Sequence, residues 1–278
     1  MNIGIRLHDT LPGSLRQRLI YAKEQGFSCA HVALSKCLPD FAMGDAPQKL
    51  TEEYAREIKK DFAETQMECA VLGCYLNLAD PDEETRRRTQ EIYKAHLRFA
   101  PWIGARVVGT ETPAKAQAVF EKPAPQSEEA FQLFMNSVKP LVRYAEEVNA
   151  ILAIEPVQSH IVSTPERAER MLEELPSDHL RIILDAVNLI APDKADAAQD
   201  TIREAIKRFG DKVMILHMKD YRLVDGNVRS MACGTGVMQY ETLLRFGKER
   251  DLPMTLEDTR PDNAEAARLH LEKIGASL

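Results

Sequence analysis

Short apolar runs alternate along this chain with longer stretches whose apolar residues recur at helical spacing. Eight runs have the length and composition of strands, at residues 3–8, 29–35, 69–77, 106–112, 151–157, 180–188, 213–220 and 254–259. Several are apolar on both parities, as in Arg181-Ile182-Ile183-Leu184 and Val213-Met214-Ile215-Leu216. Strands covered on both faces of a parallel sheet read this way. Helical patterns fill the gaps. Residues 14–25 carry Leu15, Leu19, Ile20 and Ala22 on one side. Thr51 is placed to cap a helix over 52–66, and Ser127 one over 128–149 that begins with acids, as the helix dipole favours. Thr164-Pro165-Glu166 sets a cap before a proline at the first helical position. Residues 240–250 and 263–274 complete the set.

The strand segments recur about every 35 residues, the length of a strand, a loop, a helix and a loop. Eight such units nearly exhaust the chain, and no linker divides it. The pattern therefore predicts one α/β domain over 1–278, a (β/α)8 TIM barrel with a closed parallel eight-stranded sheet and outer helices. The longest connections, 37–49, 113–126 and 221–235, follow the second, fourth and seventh strands. All three fall on the C-terminal face, where such barrels carry their sites. An open doubly wound sheet would show a glycine fingerprint after its first strand, and Leu7-His8-Asp9-Thr10 is none.

Composition narrows the function classes. With 44% hydrophobic residues the chain is too apolar for disorder. A net charge of −7 disfavours nucleic acid as a partner. The five cysteines are odd in number and form no CxxC, which argues against a disulfide framework or a zinc knuckle. No apolar run reaches about 18 residues, so no membrane span is expected. Met1-Asn2-Ile3-Gly4-Ile5 enters a strand at once, leaving no room for a signal peptide, and a cytoplasmic location is expected.

The chemistry sits at the ends of the last four strands. They close on Ile154-Glu155-Pro156, Leu184-Asp185-Ala186, Leu216-His217-Met218-Lys219-Asp220 and Leu256-Glu257-Asp258. In a barrel these positions, each one repeat from the last, ring the same mouth. Three carboxylates brought together repel, and burial makes their ionisation costlier. One divalent cation held by Glu155, Asp185, His217 and Glu257 relieves both. Three oxygen donors and one nitrogen suit Mn²⁺, Mg²⁺ or Co²⁺, with Zn²⁺ also possible.

These residues, with Ala153-Ile154-Glu155-Pro156, the HxKD stretch and Gly234-Thr235-Gly236-Val237, resemble the xylose isomerase-like barrel superfamily in its sugar phosphate isomerase/epimerase branch. The stretch from His217 through the GxG turn is also similar to inosose dehydratases. The resemblance implies a metal-dependent enzyme acting on a small carbohydrate: a ketose, a sugar phosphate or a polyol-derived ketone. Glu155 and Glu257 would both ligate the metal and move protons next to a carbonyl, through a metal-stabilised enediolate. Water loss, or β-elimination from a 3-oxo-glycoside, shares that first step. Family members are often homo-oligomers. Two positions depart from the family. Asn188 stands where many members place a histidine, and Lys219 where epimerases often carry arginine.

Beyond the ligands, Lys219 is expected to act in catalysis, and His8, Glu111, His160, Asn188 and Arg222 to contact substrate. Arg229 and Arg260 lie in loops on the same face, and Asp220 reads as a loop anchor. Trp102 reads as packing, and Arg86-Arg87-Arg88 among acids as an ion-paired helix face. His31, His96, His179 and His270 stand in no comparable context. An apurinic-endonuclease-type nuclease on this scaffold would need more strand-end histidines than His217. A binding protein without catalysis would not need four intact ligands.

Overall fold

The computed structural model describes residues 1–112 and 124–278, so most of the 113–126 connection lies outside the described residues. Eight parallel strands close into a barrel: β1 (Ile3–Arg6), β2 (Cys29–Val32), β3 (Glu68–Gly73), β4 (Val107–Glu111), β5 (Leu152–Glu155), β6 (Leu180–Asp185), β7 (Val213–Met218) and β10 (Met254–Leu256). β10 lies between β7 and β1 and completes the ring. Two further strands, β8 (Asp220–Val224) and β9 (Asn227–Met231), form a separate antiparallel ribbon. The outer layer consists of α1 (Leu15–Glu24), α4 (Glu52–Thr65), α5 (Glu83–Ile103), α6 (Glu128–Glu147), α7 (Pro165–Glu174), α8 (Ala198–Phe209), α9 (Glu241–Glu249) and α10 (Ala264–Gly275). The short helices α2 (Leu34–Cys37) and α3 (Ala46–Lys49) lie in the connection after β2.

The helix starts follow the cap signals. The side chains of Ser14, Thr51, Ser127 and Thr164 each accept a hydrogen bond from the backbone N–H three residues on. The basic run on α5 is ion-paired at i,i+4, Arg87 with Glu83 and Arg88 with Glu84. Trp102 packs edge-on against Phe99. All five cysteines are buried and free. Among the described residues no helix is long and apolar enough to cross a membrane.

The strand period decides where the site forms. Cys29, Val71, Val107, Ala153, Ile183 and Ile215 belong to a cluster separate from the main core, which forms an apolar layer inside the barrel. Side chains along a strand alternate between faces, so the residues two steps further point the same way. On β2, β5, β6 and β7 these are His31, Glu155, Asp185 and His217. An apolar floor thus lies directly beneath a polar layer.

Each barrel strand ends one to four residues before its expected limit, and two differences bear on the site. The first strand stops at Arg6, and His8 sits in a single 3-10 turn over Leu7–Asp9. The connection at 221–235, expected as a loop, is largely the β8–β9 ribbon. Its tip is Asp225-Gly226, with φ of 51° and 72°. Two successive residues at positive φ make the tight turn that matches strand twist, and Asp-Gly is a preferred pair there.

His96 on α5 is fully buried. Its Nδ1 contacts the Ile92 carbonyl at 2.8 Å, and Phe41 meets its ring edge-on. Burial pushes its pKa down to about 4. The unfolded chain therefore takes up a proton near pH 6.5 that the folded chain refuses, and stability falls as pH drops from about 6.5 towards 4. Fully developed, the effect is on the order of 3 kcal/mol. His96→Phe is expected to flatten this part of a urea-midpoint-against-pH curve. An unchanged slope would show that His96 titrates alike in both states.

Candidate metal centre and active site

Glu155, Asp185 and His217 close their strands almost without exposure, at 1%, 0% and 1%. Asp185 and His217 stand opposite one another in the β6–β7 register. Glu257 follows β10, where its N–H donates to the Met218 carbonyl at 3.1 Å. His217 Nδ1 lies 3.0 Å from Glu155 Oε2 and 3.3 Å from Glu257 Oε1. β5 and β10 are separated by β6 and β7, so the two glutamates approach the imidazole from different walls.

Other side chains aim these carboxylates. Asn188 donates from Nδ2 to Glu155 Oε1 at 2.5 Å and from its backbone N–H to Asp185 Oδ1 at 3.1 Å. Asn188, expected to contact substrate, is hydrogen-bonded to both Glu155 and Asp185. Lys219 Nζ stands 3.0 Å from Asp185 Oδ2 and 3.4 Å from Glu257 Oε2. Arg6 reaches Glu257 Oε2 at 3.2 Å, Asp258 at 3.1 Å and Asp9 at 3.1 Å.

The electrostatics follow from burial opposed by these charges. Burial disfavours the charged form of His217, but Glu257 and Glu155 outweigh it and lift the pKa to about 9. Burial likewise works against Glu257, yet His217 and Lys219 hold its carboxyl well below the usual range. Asp185 is pushed up to about 6, chiefly by burial. Burial disfavours charge on Lys219 too, but Asp185 and Glu257 raise its pKa further.

The donor set fits a divalent cation. Buried polar atoms nearly always find a partner. Here both ring nitrogens of His217, Asp185 Oδ2 and His31 Nδ1 are buried without a hydrogen bond. Lys219 is close to Asp185 Oδ2 but not in hydrogen-bonding alignment with it. The potential ligand atoms form two groups that share His217, Glu155–Asp185–His217 and His31–His217–Glu257, each with its atoms within 4.8 Å of one another. The four residues expected to form one set are thus divided between two overlapping triads.

Beside the polar layer opens a cavity with about 540 Å³ of empty space, counting its mouth. Arg6, His8, His31, Lys36, Tyr75, Leu76, Glu111, Thr112 and Glu257 line it. His8 and Glu111 stand in this wall as expected. His160 is buried behind it, with Nδ1 3.7 Å from Glu111 Oε2. Glu111 is 35% exposed at the side chain, and burial together with Glu155 and Glu257 pushes its pKa up to about 8. Burial, helped by Arg6, pushes His8 down to about 3. Arg222 is not in this wall. The chain has turned outward into the ribbon, and Arg222 is exposed there opposite Arg229. Arg260 is exposed and paired with Asp262. A larger cavity, about 1100 Å³, lies by Thr164, Leu189 and Lys194 and contains none of the strand-end ligands.

The sequence reading missed Arg6, His31 and Tyr75. The signal for His31 was its parity: it lies two residues beyond Cys29 on the floor, as His217 lies two beyond Ile215.

Asp220 anchors the ribbon to the site. Its Oδ1 accepts from the N–H groups of Tyr221 and Met238, both at 2.8 Å. Its Oδ2 accepts from Gly234 at 3.0 Å and Gly236 at 2.9 Å. This explains the GxG turn. Gly234 has φ +82°, and a Cβ at Gly236 would collide with the Asp220 carboxylate.

A family model described as the xylose isomerase-like TIM barrel matches residues 19–274. No curated protein matches the chain. Solved structures share the fold at low identity. A 3-keto-D-glucoside 4-epimerase from E. coli in apo form is 17% identical, with 98% of this chain and 99% of that one covered and a TM-score of 0.77. An IOLI protein with a binding zinc atom is 18% identical over 100% and 97%, with a TM-score of 0.73. A probable 3-DHS dehydratase involved in petrobactin synthesis, from Bacillus anthracis, is 14% identical over 98% and 98%, with a TM-score of 0.71.

Asp220→Asn turns one acceptor oxygen into an amide group facing two N–H donors. Leaving buried donors unpaired costs about 1–3 kcal/mol each. A fall in Tm of roughly 5 °C or more is expected by calorimetry, with faster proteolysis at the ribbon. An unchanged Tm would refute the anchoring role.

Proposed function

The chain belongs to the xylose isomerase-like TIM barrel family, and from that premise we propose that it is a divalent-metal-dependent sugar isomerase or epimerase. Its substrate would be a ketose, a sugar phosphate or a polyol-derived ketone. The observation that carries this reading is the approach of Glu155 and Glu257 to His217 Nδ1 from two walls of the barrel, level with buried Asp185 and beside an open cavity. Glu155, Asp185, His217 and Glu257 would hold the ion. When bound, a divalent ion supplies Lewis-acid stabilisation for negative charge on the oxygens of a carbonyl and its neighbouring hydroxyl.

The protein's own groups do the rest. One of the two glutamate carboxylates takes the proton from the carbon next to the carbonyl, and the other returns a proton to the resulting enediolate. Asn188 occupies Glu155 Oε1 and leaves Oε2 on the side of the imidazole. Arg6 and Lys219 bind Glu257 through Oε2 and leave Oε1 facing His217. Lys219 adds a fixed positive charge beside the oxygen that becomes negative. His8 and Glu111 hold substrate hydroxyls, and His160 stands behind Glu111.

One observation favours a lyase as the second reading. Glu111 stands at the cavity wall, level with Glu155 on the neighbouring strand, where its carboxyl group would hand a proton to a departing hydroxyl. Elimination would then follow the same proton abstraction. The dehydratase among the structural relatives agrees with this chemistry.

The test is proton exchange. Protein loaded with Mn²⁺ is incubated in D₂O with ketoses, aldoses, inososes and 3-oxo-glycosides, and the carbon next to the carbonyl is followed by NMR. Metal-dependent deuterium uptake is expected for at least one of them. Glu155→Gln or Glu257→Gln should slow it by about 10²–10⁴-fold. Exchange at the parent rate in both variants would refute the proton-transfer assignment.

A further inference from the structure

We infer that His31 is a ligand residue of the metal centre, so that the ion faces two imidazoles and the site favours Co²⁺ and Zn²⁺ over Mg²⁺. The inference rests on the proposed metal centre and adds a donor to it.

Four observations carry it. His31 is 1% exposed, and its Nδ1 has no hydrogen-bond partner. That nitrogen points at the centre, 3.6 Å from Glu257 Oε1, the same oxygen that His217 Nδ1 approaches at 3.3 Å. The two rings stack nearly parallel, with an interplanar angle of 12° and centroids 5.2 Å apart, and present both Nδ1 atoms to one carboxylate oxygen. Metal bonds of about 2.0–2.2 Å put neighbouring ligand atoms about 2.8–3.6 Å apart, which spans these separations.

The fourth observation concerns the far side of the ring. His31 Nε2 lies 2.9 Å from the Tyr75 hydroxyl. A ligating histidine generally engages its other nitrogen in this way, which fixes both tautomer and orientation. With the proton on Nε2, the Tyr75 oxygen accepts it and Nδ1 keeps its lone pair for a cation. The pocket is built for the pair. A Cβ at residue 73 would lie 2.6 Å from the Tyr75 ring and 3.0 Å from His31 Nε2, so Gly73 leaves the space that both rings use.

The consequence is selectivity. A second imidazole strengthens binding of Co²⁺ and Zn²⁺, which take nitrogen donors readily, more than of Mg²⁺, which prefers oxygen and water.

The experiment measures affinity by competition with a chelating dye for Co²⁺, Zn²⁺ and Mg²⁺, and records the visible spectrum of the Co²⁺ form. His31→Asn is expected to weaken Co²⁺ and Zn²⁺ binding by about 10–100-fold, to change Mg²⁺ binding by less than about threefold, and to alter the Co²⁺ bands. Tyr75→Phe should move affinity in the same direction by a smaller factor, and it serves if His31→Asn does not fold. Parent-like Co²⁺ affinity and spectrum in both variants would overturn the inference. Asp185→Asn separates the two levels of the argument. If it abolishes binding while the His31 and Tyr75 variants are silent, only His31 is removed from the ligand set. If it too binds as the parent does, the centre itself is wrong.

Discussion

Mutual repulsion among Glu155, Asp185 and Glu257 is the constraint around which the C-terminal end of this barrel is organised. All three are nearly or fully buried, and like charges in a medium poorer than water in screening interact strongly. The protein meets the problem with positive charge from several sides. Lys219 stands between Asp185 and Glu257, and Arg6 closes on Glu257 from β1. The orphaned nitrogens of His217 and the unbonded Asp185 Oδ2 mark where a divalent ion would complete the arrangement. Neighbouring features serve the same end. Asn188 fixes Glu155 and Asp185, and Asp220 ties the ribbon that follows Lys219 to the GxG turn.

The scaffold makes this concentration of charge tolerable because its layers are rigid and cleanly separated. Strand alternation puts Cys29, Ala153, Ile183 and Ile215 below, and the ionisable His31, Glu155, Asp185 and His217 two residues further on. The floor excludes water from beneath the site. The cavity admits ligands from the side where Arg6, His31, Tyr75 and Glu111 stand. Glu111 and Glu155 stand level with each other on neighbouring strands, Glu155 buried and Glu111 open to the cavity. Glu257 faces His217 and also lines the cavity.

Much of this was legible in the sequence, for a physical reason. A closed parallel barrel repeats one unit, so strand ends at matching places in successive units must meet, and Glu155, Asp185, His217 and Glu257 are at such places. What escaped notice sits inside strands. In Cys29-Ala30-His31-Val32 the histidine reads as part of an apolar run until the inward parity of β2 is known, and Arg6 is hidden in the same way in Ile3-Gly4-Ile5-Arg6. Read as an active-face loop, residues 221–235 put Arg222 at the mouth. The positive φ angles of Asp225 and Gly226 turn that segment into a ribbon and leave Arg222 exposed on it. The contact of Asn188 with Glu155 depends on side-chain direction, which position along the strand does not give.

The measurement that bears most directly on the central claim is an anomalous-scattering map from crystals grown with Mn²⁺. The account predicts one dominant peak per chain, in contact with carboxylate oxygens of Glu155, Asp185 and Glu257 and with Nδ1 of His217. A map at saturating Mn²⁺ with no peak among these four side chains would contradict it.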